Sequence, residues 1–400
     1  MRAPGAQPAH SAGPDRAAFA IAAMGLVGLA SAMGIGRFAF TPLLPLMLQD
    51  GQLTLAQGAW LASVNYLGYL LGALAAARWP IAPATAARGG LVGVALFTLA
   101  MGASSSFGLW MAWRLLAGMA SALVLVGISG WALQALAAAG RPAWAGLVFA
   151  GVGSGIALAG LVGLGAALGQ QPPGLAWLLL GTLAAVAAGL GWRHIVAGPA
   201  LPTPAAAATA AAAGGVARHW RVIVAYGSFG YGYILPATFL PAMARQQFAD
   251  PAFFGSVWPL FGLAAAASTL LAARVARGLA PHVLWIASQL LMAAGVLAPA
   301  LSPSLAALLI SALCVGGTFM VLTMAAMQQA RLDAGAATPR LIAVMTAAFA
   351  AGQLVGPLTL GPLSGGAAGP RNGVPLAASL VAAAVLVAGA ALLQPRSTST

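Results

Sequence analysis

Read by its apolar runs, the chain divides into twelve long stretches, at residues 18–48, 54–77, 89–107, 109–135, 143–168, 174–192, 220–244, 253–273, 281–300, 304–328, 340–363 and 373–394. About 20 apolar residues carry a helix across the hydrocarbon of a bilayer, and most of the runs are near that length. Each is too long for a strand of a soluble protein. The two-residue alternation of an outer-membrane barrel strand is not seen. The pattern predicts an all-α integral membrane protein with twelve crossings. The first run follows Arg2 and Arg16 and passes through Ala30-Ser31-Ala32, the outline of a cleavable leader. Hydrophobicity continues to Leu48, and the segment has a counterpart later in the chain, so it is read as a retained helix.

That counterpart is the most informative feature of the pattern. Gly34-Ile35-Gly36 matches Gly230-Tyr231-Gly232, and Leu44-Pro45-Leu46-Met47 matches Leu240-Pro241-Ala242-Met243. Leu74-Ala75-Ala76-Ala77-Arg78 matches Leu270-Leu271-Ala272-Ala273-Arg274 at the same offset of 196 residues, without a gap. Chance matching between alanine- and glycine-rich helices is the bland explanation. The shared Gly-x-Gly, Leu-Pro-x-Met and terminal arginine argue against it. Spans one and two thus recur as spans seven and eight in the same orientation, which predicts two parallel six-helix halves, a transporter architecture. The expected organisation is a tail (1–17), a first half (18–192), a linker (193–219), a second half (220–394) and a closing tail (395–400). The alanine, proline, glycine and threonine of the linker lack core-forming residues.

Charge sets the orientation. Of 400 residues 61% are hydrophobic and 5% charged, with a net charge of +13. So few charges cannot coat a water-facing surface, where about 25% is usual. The mean hydropathy of +0.95 agrees. The charged set is seventeen arginines and four aspartates, with no lysine or glutamate. With the N-terminus inside, cytoplasmic segments hold Arg2, Arg16, Arg78, Arg88, Arg141, Arg193, Arg218, Arg221, Arg274, Arg277, Arg331, Arg340 and Arg396. Outer loops hold only Arg245 and Arg371, and Arg37 and Arg114 fall inside spans. This asymmetry predicts an N-in, C-in topology and accounts for the basic balance without a nucleic-acid partner. Arginine without lysine, beside heavy alanine and glycine use, suggests a GC-rich bacterial coding sequence, hence a bacterial inner membrane. The lone Cys314 excludes an intrachain disulfide and a CxxC motif.

The run Met33-Gly34-Ile35-Gly36-Arg37-Phe38-Ala39-Phe40-Thr41-Pro42-Leu43-Leu44-Pro45 resembles the opening motif of the YbfB/YjiJ group of major facilitator superfamily transporters. Asn65-Tyr66-Leu67-Gly68-Tyr69 and Pro236-Ala237-Thr238-Phe239-Leu240-Pro241 resemble that group too, and the similarity spans essentially the whole chain. Arg114-Leu115-Leu116-Ala117-Gly118 resembles the superfamily's fourth-helix motif, whose arginine is linked to coupling or substrate handling. The resemblance implies that spans one, four, seven and ten surround a central cavity. Two departures stand out. The aspartate of the loop after span two is missing, where Gly72 leads only to Ala76, Ala77 and Arg78. The fifth-span Gly-Pro of drug–proton antiporters is replaced by Gly151-Val152-Gly153-Ser154-Gly155.

A charge at mid-membrane costs about 2.5–3.5 kcal/mol on insertion scales, so Arg37 and Arg114 are the first candidates for substrate binding or coupling. By span count both lie in outer halves, and both face the implied cavity if the superfamily arrangement holds. Two guanidiniums without an intramembrane carboxylate make that cavity electropositive, suited to a small organic anion held bidentately. The plainer alternative for Arg37 is that it snorkels to the outer interface, or bonds backbone carbonyls opened by nearby prolines. Asn65, Tyr66, Tyr231 and Tyr233 offer polar handles on spans two and seven, each also readable as packing. Gly34, Gly36, Pro42, Pro45, Gly230, Gly232, Pro236 and Pro241 predict bends that serve gating, or close packing with fixed kinks.

The aspartates (15, 50, 250 and 333) and histidines (10, 194, 219 and 282) lie in loops or at span edges. No buried relay is visible, so a coupled proton would travel with the substrate, while uniport and exchange stay open. An intramembrane hydrolase would need a nucleophile with a base, paired acids or metal ligands at mid-depth, and an ATP-driven pump a P-loop. None is present, and no cofactor or metal is expected. The sequence thus predicts a secondary transporter working by alternating access between a small solute and the lipid-embedded halves. Drug or metabolite efflux and a non-transporting sensor are the alternatives.

Overall fold

A computed structural model of the chain describes residues 12–79, 81–196, 217–275, 278–359 and 376–394. The tail before residue 12, most of the linker, the loop holding Arg371 and the tail 395–400 lie outside the described residues. The first span is composite: α1 (Ala12–Leu29), a π-helical segment (Ala30–Arg37) and α2 (Phe40–Gln49). Then come α3 (Leu55–Arg78), α4 (Pro83–Ala103), α5 (Phe107–Ala138), α6 (Ala145–Leu168) and α7 (Pro173–His194). The later helices are α8 (Trp220–Gln247), α9 (Pro251–Val275), α10 (Pro281–Leu301), α11 (Leu305–Ala334), α12 (Thr338–Leu358) and α13 (Leu376–Leu392). Among the described residues, 11 helical spans are long and apolar enough to cross a membrane, and Leu376–Leu392 is a shorter apolar helix. Its 17 residues still fall within the range of a membrane span.

Helix ends follow local chemistry. Thr54 and Gln57 form a reciprocal capping box at the start of α3, and the Ser304 hydroxyl accepts the Ala307 N–H at the start of α11. Pro83, Pro173 and Pro281 open α4, α7 and α10, where a missing N–H costs nothing. The third span departs from its expected limits of 89–107. It begins at Pro83 and ends before Ser104. Arg88, expected in a cytoplasmic loop, is therefore within α4, its guanidinium 5.5 Å from the ring of Trp192. The aromatic face lets the helix include the charge.

The two halves repeat their packing. In the first, α5 packs on α3 and α4, α4 on α7, and α1 on α6. In the second, α11 packs on α9 and α10, α10 on α13, and α8 on α12. Close approach is made by glycine. A Cβ on Gly118 would collide with the Asn65 carbonyl, and one on Gly316 would lie 2.5 Å from that of Phe261. The halves meet along α6 and α9, α3 and α12, and α2 and α8. The outer surface exposes Leu71, Leu74, Val92, Leu96, Leu161, Leu263, Leu290 and Leu291, an apolar perimeter suited to hydrocarbon.

Candidate functional site

The site is built on the break in the first span. In a π-helix each N–H reaches a carbonyl five residues back, and here the Phe38 N–H meets the Met33 carbonyl at 3.1 Å. The Thr41 N–H turns back to the Phe38 carbonyl at 3.1 Å, and Pro42 has no N–H to offer. The Arg37 carbonyl thus loses its ordinary helical donors inside an apolar bundle, where an unmet polar group is costly.

Neighbouring side chains take their place. Arg114 Nη2 donates to the Arg37 carbonyl at 3.1 Å, and Arg114 Nη1 to the Gly36 carbonyl at 3.4 Å. Asn65 Nδ2 donates to Gly36 O at 3.3 Å and to the Arg114 carbonyl at 2.8 Å. Arg114 Nε reaches the Leu61 carbonyl at 3.4 Å, and Ser121 Oγ donates to the Ala32 carbonyl at 2.9 Å. The Arg114 guanidinium lies 5.1 Å from the Phe40 ring and is only 2% exposed. Its geometry is that of a brace for open backbone, the role that sequence offered as the alternative for Arg37.

Arg37 does something different. It is 2% exposed and reaches across to the other half, donating from Nη2 to Gln353 Oε1; Gln353 Nε2 in turn donates to the Tyr233 hydroxyl. Its charge centre sits 4.1 Å from the ring of Tyr69, 5.2 Å from Phe38 and 5.4 Å from Tyr66. Desolvated cation–π contacts of this kind contribute about 2 kcal/mol or more. Among the described residues the only salt bridge seen is Arg141 with Asp15, at the surface. Arg37 Nε is buried with no hydrogen-bond partner among the described residues.

The other expected site residues divide. Asn65, Tyr66 and Tyr233 join this cluster, Tyr66 through a hydroxyl contact of 2.9 Å with Thr238. Tyr231 does not: its hydroxyl pairs with Thr359 at 3.2 Å, at the end of α12. An aromatic track continues from the cluster. Tyr233 stacks on Phe349 at 5.6 Å and on Phe319 at 6.0 Å, and Phe261, Trp258 and Phe38 carry it back to Arg37. Gly34 and Gly230 are close-packing positions, against the backbone of Gly155 and Phe349 respectively. Gly36 faces Ser121, and Gly232 faces Leu386. Pro42 and Pro45 belong to the broken first span, whereas Pro236 and Pro241 sit inside one continuous helix. Sequence reading missed Gln353, Ser121, Thr41 and Thr238. Gln353 carried a usable signal, an amide in the middle of an apolar run.

The cluster lies beneath a seam closed at one end. Thr41 Oγ1 donates to the Ala237 carbonyl at 2.8 Å, Ser63 Oγ to the Leu354 carbonyl at 3.1 Å, and Arg245 Nε to Gln49 Oε1 at 3.4 Å. All three join the halves at the end carrying residues 50–54 and 248–250. At the opposite end, Arg141 with Asp15, Trp131 with Val196 and Arg221 with Gln394 each stay within one half. Burial follows the same gradient: Ser31 to Met47 and Gly232 to Ala244 are buried throughout, whereas the earlier turns of α1 and α8 are partly exposed.

Comparisons with known proteins agree with this architecture. The chain resembles the crystal structure of a mutant of the nucleoside transporter NupG, with a TM-score of 0.73 at 12% identity, over 94% of this chain and 98% of that one. No curated protein matches in sequence. Residues 29–394 match the family model described as "Uncharacterised MFS-type transporter YbfB". With a duplicated six-helix unit, a seam between halves and a match over nearly its whole length, the chain belongs to the YbfB family of major facilitator superfamily transporters.

Proposed function

We propose that this multi-pass transporter moves a small organic anion by alternating access, with Arg37 as the residue that receives the anionic group. The observation that carries the reading is the state of Arg37: buried and, among the described residues, without a carboxylate partner and with Nε left unbonded. A carboxylate could engage Nε and one terminal nitrogen together, the bidentate geometry a guanidinium favours. Its arrival would compete with Gln353 for the same guanidinium and so act on the contact between halves. The chain is read as a transporter and not an enzyme, in a bacterial inner membrane, with N- and C-termini inside. In that orientation the seam joined through Thr41, Ser63 and Arg245 would lie on the outer side. Halves 18–192 and 220–394 would rock about the site. A proton, where one is coupled, would ride on the substrate carboxylate.

The test is counterflow in proteoliposomes with a panel of mono- and dicarboxylates, with and without a pH gradient, beside a nucleoside panel. The expected result is saturable carboxylate flux that Arg37→Gln abolishes and Arg37→Lys restores in part. Nucleoside flux insensitive to Arg37→Gln would overturn the anion reading. Ligand-induced stabilisation without any flux would replace transport by sensing.

A further inference from the structure

A second basic concavity lies outside the seam, at the end of the bundle opposite residues 50–54. A cavity of about 340 Å³ opens between the starts of α8 and α10 and the ends of α11 and α13. Its walls have opposite chemistry. Arg218 and His219 enter from the short 3-10 turn Ala217–His219, Arg221 from the start of α8 and His282 from α10, while Gln329 and Asp333 face them from α11. Leu392 and Leu393 supply an apolar floor. Arg218 uses Nε on His219 at 3.0 Å and Arg221 uses Nη2 on the Gln394 carbonyl at 3.1 Å. Gln329 Nε2 donates to Asp333 at 2.7 Å, which turns Gln329 Oε1 away as a buried atom with no partner among the described residues. Beside the cavity, Trp220, Val224 and Val283 stand about half exposed on the perimeter. Tryptophan at this depth is an interfacial anchor.

We infer that this cavity binds a phosphoethanolamine headgroup, and that its source is a phosphatidylethanolamine of the surrounding bilayer. The two arginines match the phosphate diester, since planar guanidiniums hold phosphate oxygens by charge-assisted bonds. The Asp333 carboxylate on the facing wall matches an ammonium that carries N–H donors, which can bond it as well as neutralise it. The apolar floor and exposed perimeter give acyl chains a path to the hydrocarbon. A choline headgroup has the same charges but no N–H donor, and a glycerol headgroup has no cation.

Native mass spectrometry of the purified full chain, titrated with phosphatidylethanolamine, phosphatidylglycerol and phosphatidylcholine of matched acyl chains, tests the assignment. Phosphatidylethanolamine is expected to be retained about tenfold more than phosphatidylcholine, the worth of one hydrogen bond to a charged group. The Arg218→Gln/Arg221→Gln chain should lose about tenfold for ethanolamine and glycerol lipids alike, and the double lysine variant should keep most of that binding. Asp333→Asn should erase the ethanolamine preference while phosphatidylglycerol binding is kept. Equal retention of the three lipids by the unsubstituted chain would overturn the proposal, as would undiminished ethanolamine selectivity in Asp333→Asn. Should the double glutamine chain fail to fold, Asp333→Asn alone decides the matter. Displacement of the lipid by an equimolar amount of soluble phosphoethanolamine would overturn the lipid source in favour of a free solute.

Discussion

The first span and the seventh descend from one pattern and solve it in opposite ways. Both carry Gly-x-Gly followed by Leu-Pro-x-Met, yet one is broken through a π-helical segment and a turn, and the other runs unbroken from Trp220 to Gln247. Proline position is part of the difference, since Pro42 at the break has Thr238 as its counterpart and only Pro45 and Pro241 coincide. The neighbours account for the rest. At the offset of 196, Asn65 corresponds to Phe261 and Arg37 to Tyr233. Gly118 and Gly316 make equivalent packing contacts, which sets α5 against α11 at an offset of 198 and pairs Arg114 with Ala312 and Ser121 with Phe319. In the first half, three polar side chains meet the carbonyls that a broken helix exposes. Their counterparts are two phenylalanines and an alanine, which can meet none. In lipid the second copy must keep its own helical bonds. Duplicated helices therefore diverge through what surrounds them: one half becomes electropositive and open-backboned, the other continuous and aromatic.

The comparison breaks hardest at Arg114. Arg114→Leu leaves the Arg37, Gly36 and Leu61 carbonyls short of donors in a buried setting. Leaving a buried acceptor without its donor costs about 1–3 kcal/mol. Monodisperse yield and apparent Tm in detergent should collapse, with Arg114→Lys restoring part of both. Ala312→Leu, at the counterpart position, should shift Tm by far less. Equal losses at the two positions would show that bracing the first span is not what Arg114 does.

Arg37 and Tyr233 sharpen the functional side of the same contrast. They occupy equivalent positions and share Gln353, yet only one carries charge. Arg37→Gln should lower carboxylate counterflow about a hundredfold, two charge-assisted bonds at about 1.5 kcal/mol each, with a smaller loss of folded yield than Arg114→Leu. Tyr233→Phe, which removes one acceptor, should cost flux about threefold or less. A reversed ranking would move the site from the electropositive half to the aromatic one.

The glycines test what the halves still share. Gly34→Ala and Gly230→Ala each drive a methyl into main chain of the facing helix, and each should cost about 2 kcal/mol by overpacking. Gly36→Ala meets chiefly the Ser121 hydroxyl, a small group that can rotate, and should cost less. Thermal unfolding of the three variants in one detergent ranks them. Unequal losses at Gly34 and Gly230 would mean that the duplicated packing has drifted along with the polar residues.

The number of crossings, the duplication and the importance of the Gly-x-Gly–proline segments were legible because hydrophobicity and fixed spacing encode them. Arg37 and Arg114 were legible as charges too costly to be placed idly in lipid, Asn65 and Tyr66 only as polar handles that packing could equally explain. The division of labour between the two arginines was not. It depends on which helix loses its hydrogen bonds, and a π-helical register leaves no mark in an apolar pattern. Tyr231 stands apart from the cluster for a related reason: two residues from Tyr233 on a helix, it faces another direction. The limits of α4 slipped because Arg88 reads as a loop charge until Trp192, far along the chain, is seen beside it.

The smallest effect probes the line where the two copies touch. Thr41 and Ala237 are equivalent positions, separated by 196 residues, and Thr41 Oγ1 bonds the Ala237 carbonyl at 2.8 Å. That carbonyl is free because its helical donor would be residue 241, a proline. The loss of a main-chain bond in one half thus creates an acceptor for the other. Thr41→Val should cost about 1 kcal/mol in the parent. Pro241→Ala supplies the missing N–H, so in that background Thr41→Val should cost less, and the double-mutant cycle should give a coupling of at least about 0.5 kcal/mol. Additive losses would mean that the hydroxyl contributes packing alone. Coupling would show that a proline inherited by duplication holds the closed end together by leaving its own helix incomplete.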